Sequence, residues 1–94
     1  LNDALNKQIA MEAYASAYYL SIASWCDQKG YAGAAEFFYS QAEEEREHMM
    51  KFFKFVNEAE GQAIVPEVAQ PPAEFSDFAS LFQKSLEHER KVTA

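Results

Sequence analysis

Two long stretches that contain neither glycine nor proline, residues 1–29 and 34–60, constrain this chain more than any other feature. Its glycines are Gly30, Gly33 and Gly61, and its prolines are Pro66, Pro71 and Pro72. In a helix interior glycine costs about 1 kcal/mol and proline about 3 kcal/mol. Their confinement to a few joints predicts two long helices, a tight connection and then a non-helical segment. The first helix is expected over about 3–29, capped by Asn2 or Asp3 and stopped by a left-handed Gly30. The second is expected over about 32–60, ending at Gly61. So short a link makes the two antiparallel neighbours. Residues 61–75 hold the prolines and a small β-branched group at Ile64 and Val65. Ser76 or Asp77 then caps a third helix over about 76–94. A connection of that length can run the length of a bundle and set the third helix parallel to the second. The expected fold class is all-α, an antiparallel helical bundle with a long crossover loop. The single domain 1–94 holds two of its helices and the start of a third.

Composition agrees. The chain is 49% apolar, with eight Phe and five Tyr, a balance that favours packed helices over disorder. Ninety-four residues bury a limited fraction of their surface unless copies associate. A net charge of −7 argues against nucleic acid as a partner and suits cations. No apolar run approaches the roughly 20 residues of a membrane span, and no charged-then-apolar leader precedes the fold. The expectation is a cytoplasmic protein with no membrane partner. Cys26, the lone cysteine, can form neither an internal disulfide nor a cysteine-based zinc site, and reads as a small core filler. The chain begins at Leu1 rather than Met and reaches Ala94 with the helical pattern still running, so both ends read as cut or edited.

Each expected helix carries a carboxylate at the centre of its apolar stripe. Leu5, Ile9, Ser16, Tyr19, Leu20 and Ala23 share the face of Glu12. Phe38, Gln41, Ala42, Met49, Phe52 and Val56 lie within about 60° of Glu45. Phe78, Phe82, Ser85, Leu86, Val92 and Thr93 surround Glu89 in the same way. His48 follows Glu45 by three positions, about 60° around the helix and one turn along, so a single ion can touch both. Glu-x-x-His is the helical half of a di-iron carboxylate site when a neighbouring helix supplies further carboxylates. A bare buried carboxylate costs several kcal/mol unless it is paired or protonated. No Lys or Arg falls on the stripes, so a metal ion is the economical counter-charge. Oxygen ligands with one imidazole suit iron, whereas structural zinc favours sulfur or more histidine. Taken singly, an inward Glu is more often snorkelling or paired, the acidic run 43–47 is a solvated face, and Tyr19 is a core residue. The coincidence of the centred carboxylates with the histidine carries the argument.

The sequence also resembles the bacterial non-haem ferritins along essentially its whole length. The resemblance lies in Asn6-Lys7-Gln8-Ile9-Ala10-Met11-Glu12-Ala13-Tyr14, Tyr18-Tyr19-Leu20, Ala23-Ser24-Trp25-Cys26 and Gly33-Ala34-Ala35-Glu36-Phe37. It continues through Gln41-Ala42-Glu43-Glu44-Glu45-Arg46-Glu47-His48-Met49, the loop from Val65-Pro66 to Pro71-Pro72, and Leu86-Glu87-His88-Glu89-Arg90. It implies that Glu12, Glu45 and His48 form the first iron site of a ferroxidase centre. Glu45 would bridge to a second site that Glu89 helps to bind, Glu44 would serve a third, weaker site, and Tyr19 would be a tyrosine able to donate an electron. The implied chemistry is oxidation of Fe(II) by dioxygen or peroxide at a di-iron centre, with ferric mineral stored in a homo-oligomeric cage of twenty-four subunits. Bacterioferritins carry a haem-ligating Met after the bridging Glu; here that position is Arg46, so no haem is expected. Family members are longer, and a fourth helix completes their second iron site. The resemblance therefore implies a partial ferritin-like domain. The alternative reading is a helical assembly or interaction module that keeps the fold, with one metal site and no ferroxidase activity.

Overall fold

The computed structural model describes residues 2–77. Helices α1 (Asn2–Gln28) and α2 (Ala32–Glu58) pack as an antiparallel hairpin, with no strand among the described residues. The first two expected helices are therefore present, with ends that differ by one or two residues. Asn2 and Asp3, expected as caps, lie within the first turn of α1, where the Asp3 carboxylate complements the positive end of the helix dipole.

Both helices close with the same paired hydrogen bonds. After α1, the Gly30 N–H donates to the Asp27 carbonyl at 3.1 Å and the Tyr31 N–H to the Cys26 carbonyl at 2.8 Å. Gly30 adopts a φ of 88°, the left-handed conformation this motif requires. After α2, the Glu60 N–H donates to Asn57 at 3.2 Å and the Gly61 N–H to Val56 at 3.0 Å. Here the left-handed residue is Glu60, with φ 65°, and Gly61, the expected end of the helix, is the next residue of the same closing motif. A Cβ on Gly61 would displace the tip of the Asn2 side chain and lie 3.1 Å from Val56 Cγ1, so the glycine sits in a tight space between the start of α1 and the end of α2.

The segment after α2 is irregular yet tied down at its start and at its end. Asn57 Oδ1 accepts from the Ala63 N–H at 3.0 Å. The Asn6 amide brackets the next residues, donating to the Gln62 carbonyl at 3.0 Å and accepting from the Ile64 N–H at 2.9 Å. Further on, the Ser21 hydroxyl donates to the Pro72 carbonyl. Phe75 is buried edge-on between Tyr18 and Trp25, with ring centroids 6.4 Å and 5.9 Å away. The loop thus begins beside Asn6 and ends beside Trp25, having travelled about 28 Å of helix length. It delivers the chain to the end of the hairpin where α2 begins. Ser76 and Asp77 are non-helical, and the expected third helix lies outside the described residues.

The seam between the helices is built from Tyr19, Ile22, Ala23 and Cys26 on α1 against Ala35, Phe38 and Ala42 on α2. The alanines let the helix axes approach closely. Ser16 Oγ donates to the Ala42 carbonyl at 2.8 Å and fixes the register. At the loop end, the Tyr39 hydroxyl donates to Asp27 Oδ2 at 3.0 Å, and this bond holds the phenol above its ordinary pKa. Leu20, expected on the inward stripe, is 51% exposed. Eight residues beyond Glu12 is about 80° around the helix, which turns Leu20 out of the seam. No helix among the described residues is long and apolar enough to cross a membrane.

Two outcomes are expected. Phe75→Ala costs about 3 kcal/mol in chemical denaturation, and shifts the emission of Trp25, the chain's one tryptophan, to the red as water reaches it. Glu60→Gly raises stability by about 0.5–1 kcal/mol, because glycine relieves a left-handed conformation that costs a side-chain-bearing residue about 1–2 kcal/mol.

Candidate metal centre

The register set by Ser16 and Ala42 decides which side chains meet. Glu12 lies one turn before Ser16 on α1, and Glu45 lies about one turn after Ala42 on the antiparallel α2. The two carboxylates therefore face each other across the seam, and both are buried, at 4% and 3% exposed. His48 stands one turn further along α2, with its side chain 51% exposed. Its Nδ1 lies 3.8 Å from Glu12 Oε2 and 3.8 Å from Glu45 Oε2.

One potential ligand atom from each of these three residues falls within 4.8 Å of the other two. Nitrogen and oxygen ligands sit about 2.0–2.2 Å from a first-row ion, so two ligands of one ion are about 3–4 Å apart. The trio needs only small side-chain rotations to meet that spacing. A second observation supports the fit: Glu12 Oε2 is fully buried and accepts no hydrogen bond among the described residues. The other oxygen of the same carboxylate is occupied, since Gln8 Nε2 donates to Glu12 Oε1 at 3.0 Å. A carboxylate atom without a donor in a dry seam is costly, and a cation at the His48 position or between the three groups offsets that cost. Two carboxylates and one imidazole form an anionic, oxygen-rich set with coordination positions left open for water or substrate.

The remaining candidates separate clearly. Tyr19 is buried two turns beyond Glu12 and stacks on Phe38, two turns before Glu45, with centroids 6.0 Å apart and planes 22° apart. This ring pair forms the next layer of the seam beneath the carboxylates. Glu44 is exposed on α2, as are Glu43 and Glu47, so Glu44 is not in the three-residue cluster. Glu89 lies outside the described residues. Cys26 is fully buried, and burial pushes its thiol pKa up, as befits a core filler. Gln8 is the residue that inspection of the apolar stripes overlooked. Its signal was the (i, i+4) spacing to Glu12, at which a side-chain amide reaches a carboxylate one turn away.

Comparison with known proteins now adds to this geometry. The family described as ferritin-like domain matches residues 2–94. A probable bacterial non-heme ferritin-like protein of Haemophilus influenzae is 36% identical over 90 residues, covering 96% of this chain and 54% of that protein. A bacterial non-heme ferritin of Campylobacter jejuni is 38% identical over 89 residues, 95% of this chain and 53% of its own length. Among solved structures, the Chlorobium tepidum ferritin superposes with a TM-score of 0.94 at 36% identity, covering 98% of this chain and 56% of its own. An open pore ferritin from Archaeoglobus fulgidus gives 0.94 at 39% identity, over 98% and 57%. The chain spans about half the length of the curated relatives it matches.

The facing carboxylates generate a test of opposite signs. In chelator, Glu12→Gln stabilises the chain by about 1–2 kcal/mol, because it removes a buried charge and keeps the shape. Added divalent metal raises the melting temperature of the wild type, since ligands that bind only the folded state stabilise it, and leaves that of the variant unchanged. A variant that is less stable in chelator and equally raised by metal contradicts this picture of the seam.

Proposed function

Because the chain belongs to the ferritin family, as a ferritin-like domain over residues 2–94, we propose that it serves iron storage and detoxification. In this reading it is a ferroxidase subunit that takes Fe(II) as substrate, oxidises it with dioxygen or peroxide, and stores ferric mineral within a homo-oligomeric cage in the cytoplasm. The observation that carries the reading is the convergence of Glu12, Glu45 and His48, two buried carboxylates and a half-exposed imidazole, on one ion-sized space.

The division of labour follows from burial. His48, exposed at the rim, meets the hydrated ion first and exchanges its water for an imidazole nitrogen. Glu12 and Glu45, buried behind it, supply the negative charge that makes the third positive charge of iron favourable. Glu45 bridges toward a second iron, to which Glu89 contributes, and Glu44 serves a weaker outer site. Two irons together pass two electrons to one dioxygen or peroxide, which one iron alone does not. In this reading Tyr19, which stacks on Phe38, supplies a further electron. No haem takes part.

The experiment is anaerobic titration with Fe(II) followed by exposure to air. The expected result is saturable binding, about one iron per chain if the Glu12, Glu45 and His48 site acts alone and about two if the centre is complete, and then a rise in ferric absorbance. Glu45→Ala abolishes the fast phase of that rise, a loss of at least tenfold in line with removal of a metal ligand. Equal binding and oxidation by the wild type and a variant lacking both Glu45 and His48 contradicts the reading and favours a metal-independent helical module.

A further inference from the structure

The geometry points to Gln8 as a positioning residue that decides which oxygen of Glu12 a metal ion meets. Gln8 Nε2 donates to Glu12 Oε1 at 3.0 Å from one turn earlier on α1, in a partly buried position. That bond takes one in-plane lone pair of Oε1 and tethers this oxygen toward Gln8. Oε2 is left as the atom that looks across the seam at His48 Nδ1, 3.8 Å away, and it accepts no hydrogen bond among the described residues.

The consequence concerns denticity. A carboxylate with both oxygens free can chelate an ion through two short bonds or swing between one-oxygen and two-oxygen binding. A carboxylate with one oxygen tethered by an amide keeps a lone pair there, but its other oxygen is held in a fixed direction, which favours one-oxygen ligation. An ionised carboxylate only accepts, so the amide nitrogen of Gln8, and not its oxygen, must face Glu12. Gln8 itself touches no ion. It acts through Glu12, by biasing that side chain toward one-oxygen ligation and by opposing its rotation away from the seam. Outer groups that orient a metal ligand in this manner commonly account for ten- to a hundredfold in affinity.

This inference rests on the metal-binding reading of Glu12, Glu45 and His48, and the test separates the two. Co(II) is the probe, because its visible bands report coordination number and geometry without turnover. Titrated into the full chain, Co(II) is expected to bind the wild type and develop a defined band pattern. Gln8→Met keeps the length and helix preference of the side chain and lacks the donor. It is expected to weaken Co(II) binding about tenfold and to change the band shape as Glu12 gains freedom to use both oxygens. Gln8→Asn retains an amide that ends one methylene short, and is expected to behave like Gln8→Met. If the bond is only a helix-stabilising pair, both variants will show small changes in melting temperature with the wild-type Co(II) spectrum and affinity, and the inference is overturned. A wild type that takes up no Co(II) at this site overturns the metal-binding reading itself.

Discussion

Two carboxylates face each other in the seam of a helix pair, and the rest of the structure is arranged around that juxtaposition. Glu12 and Glu45 are among the least exposed residues of the hairpin, in positions where an apolar side chain would stabilise it more. Bringing two carboxylates together in a buried seam is unfavourable, and His48, 3.8 Å from an oxygen of each, and the Gln8 amide on Glu12 are among the groups that offset it. The hairpin therefore holds its functional groups against a local preference for their absence. That is the usual relation between a binding site and the stability of the scaffold that carries it.

The opposing stabilisation comes from further along the same seam. Beneath the carboxylates, Tyr19 stacks on Phe38, and the alanines beyond them bring the helices close. Ser16 locks the register through the Ala42 carbonyl, so Glu12 cannot slide past Glu45 by a turn without breaking that bond. The irregular segment contributes too. Asn6, Asn57 and Ser21 fasten its backbone to the two helices, and Phe75 fills the space between Tyr18 and Trp25. A loop of that length is held by side chains of the elements it crosses, and in return it covers their aromatic face.

Much of this was legible in the sequence because it depends on periodicity. Glu12, Glu45 and His48 stand out by their positions on helical stripes, and the structure brings those three together. The left-handed Gly30 followed from its place at the end of a breaker-free stretch. Less was legible where local signals fall short. Gly61 marks the end of α2 as expected and its N–H closes the motif, but the left-handed conformation there falls on Glu60, which no local signal singles out. Leu20 resembles a core residue, but its angular offset places it outside the seam. Gln8, four positions before Glu12 and about 40° from it, lies on the same stripe, where nothing in the periodicity sets it apart. Its role appears only when the hydrogen bond to Glu12 is seen.

The central claim is that Glu12, Glu45 and His48 hold one iron ion between them. Anomalous diffraction at the iron absorption edge, from crystals soaked in Fe(II) without oxygen, tests it most directly. The account predicts a peak in the seam within about 2.0–2.3 Å of Glu12 Oε2, a Glu45 carboxylate oxygen and a ring nitrogen of His48. A seam without anomalous density, with iron found only at the exposed carboxylates of Glu43, Glu44 or Glu47, would contradict it.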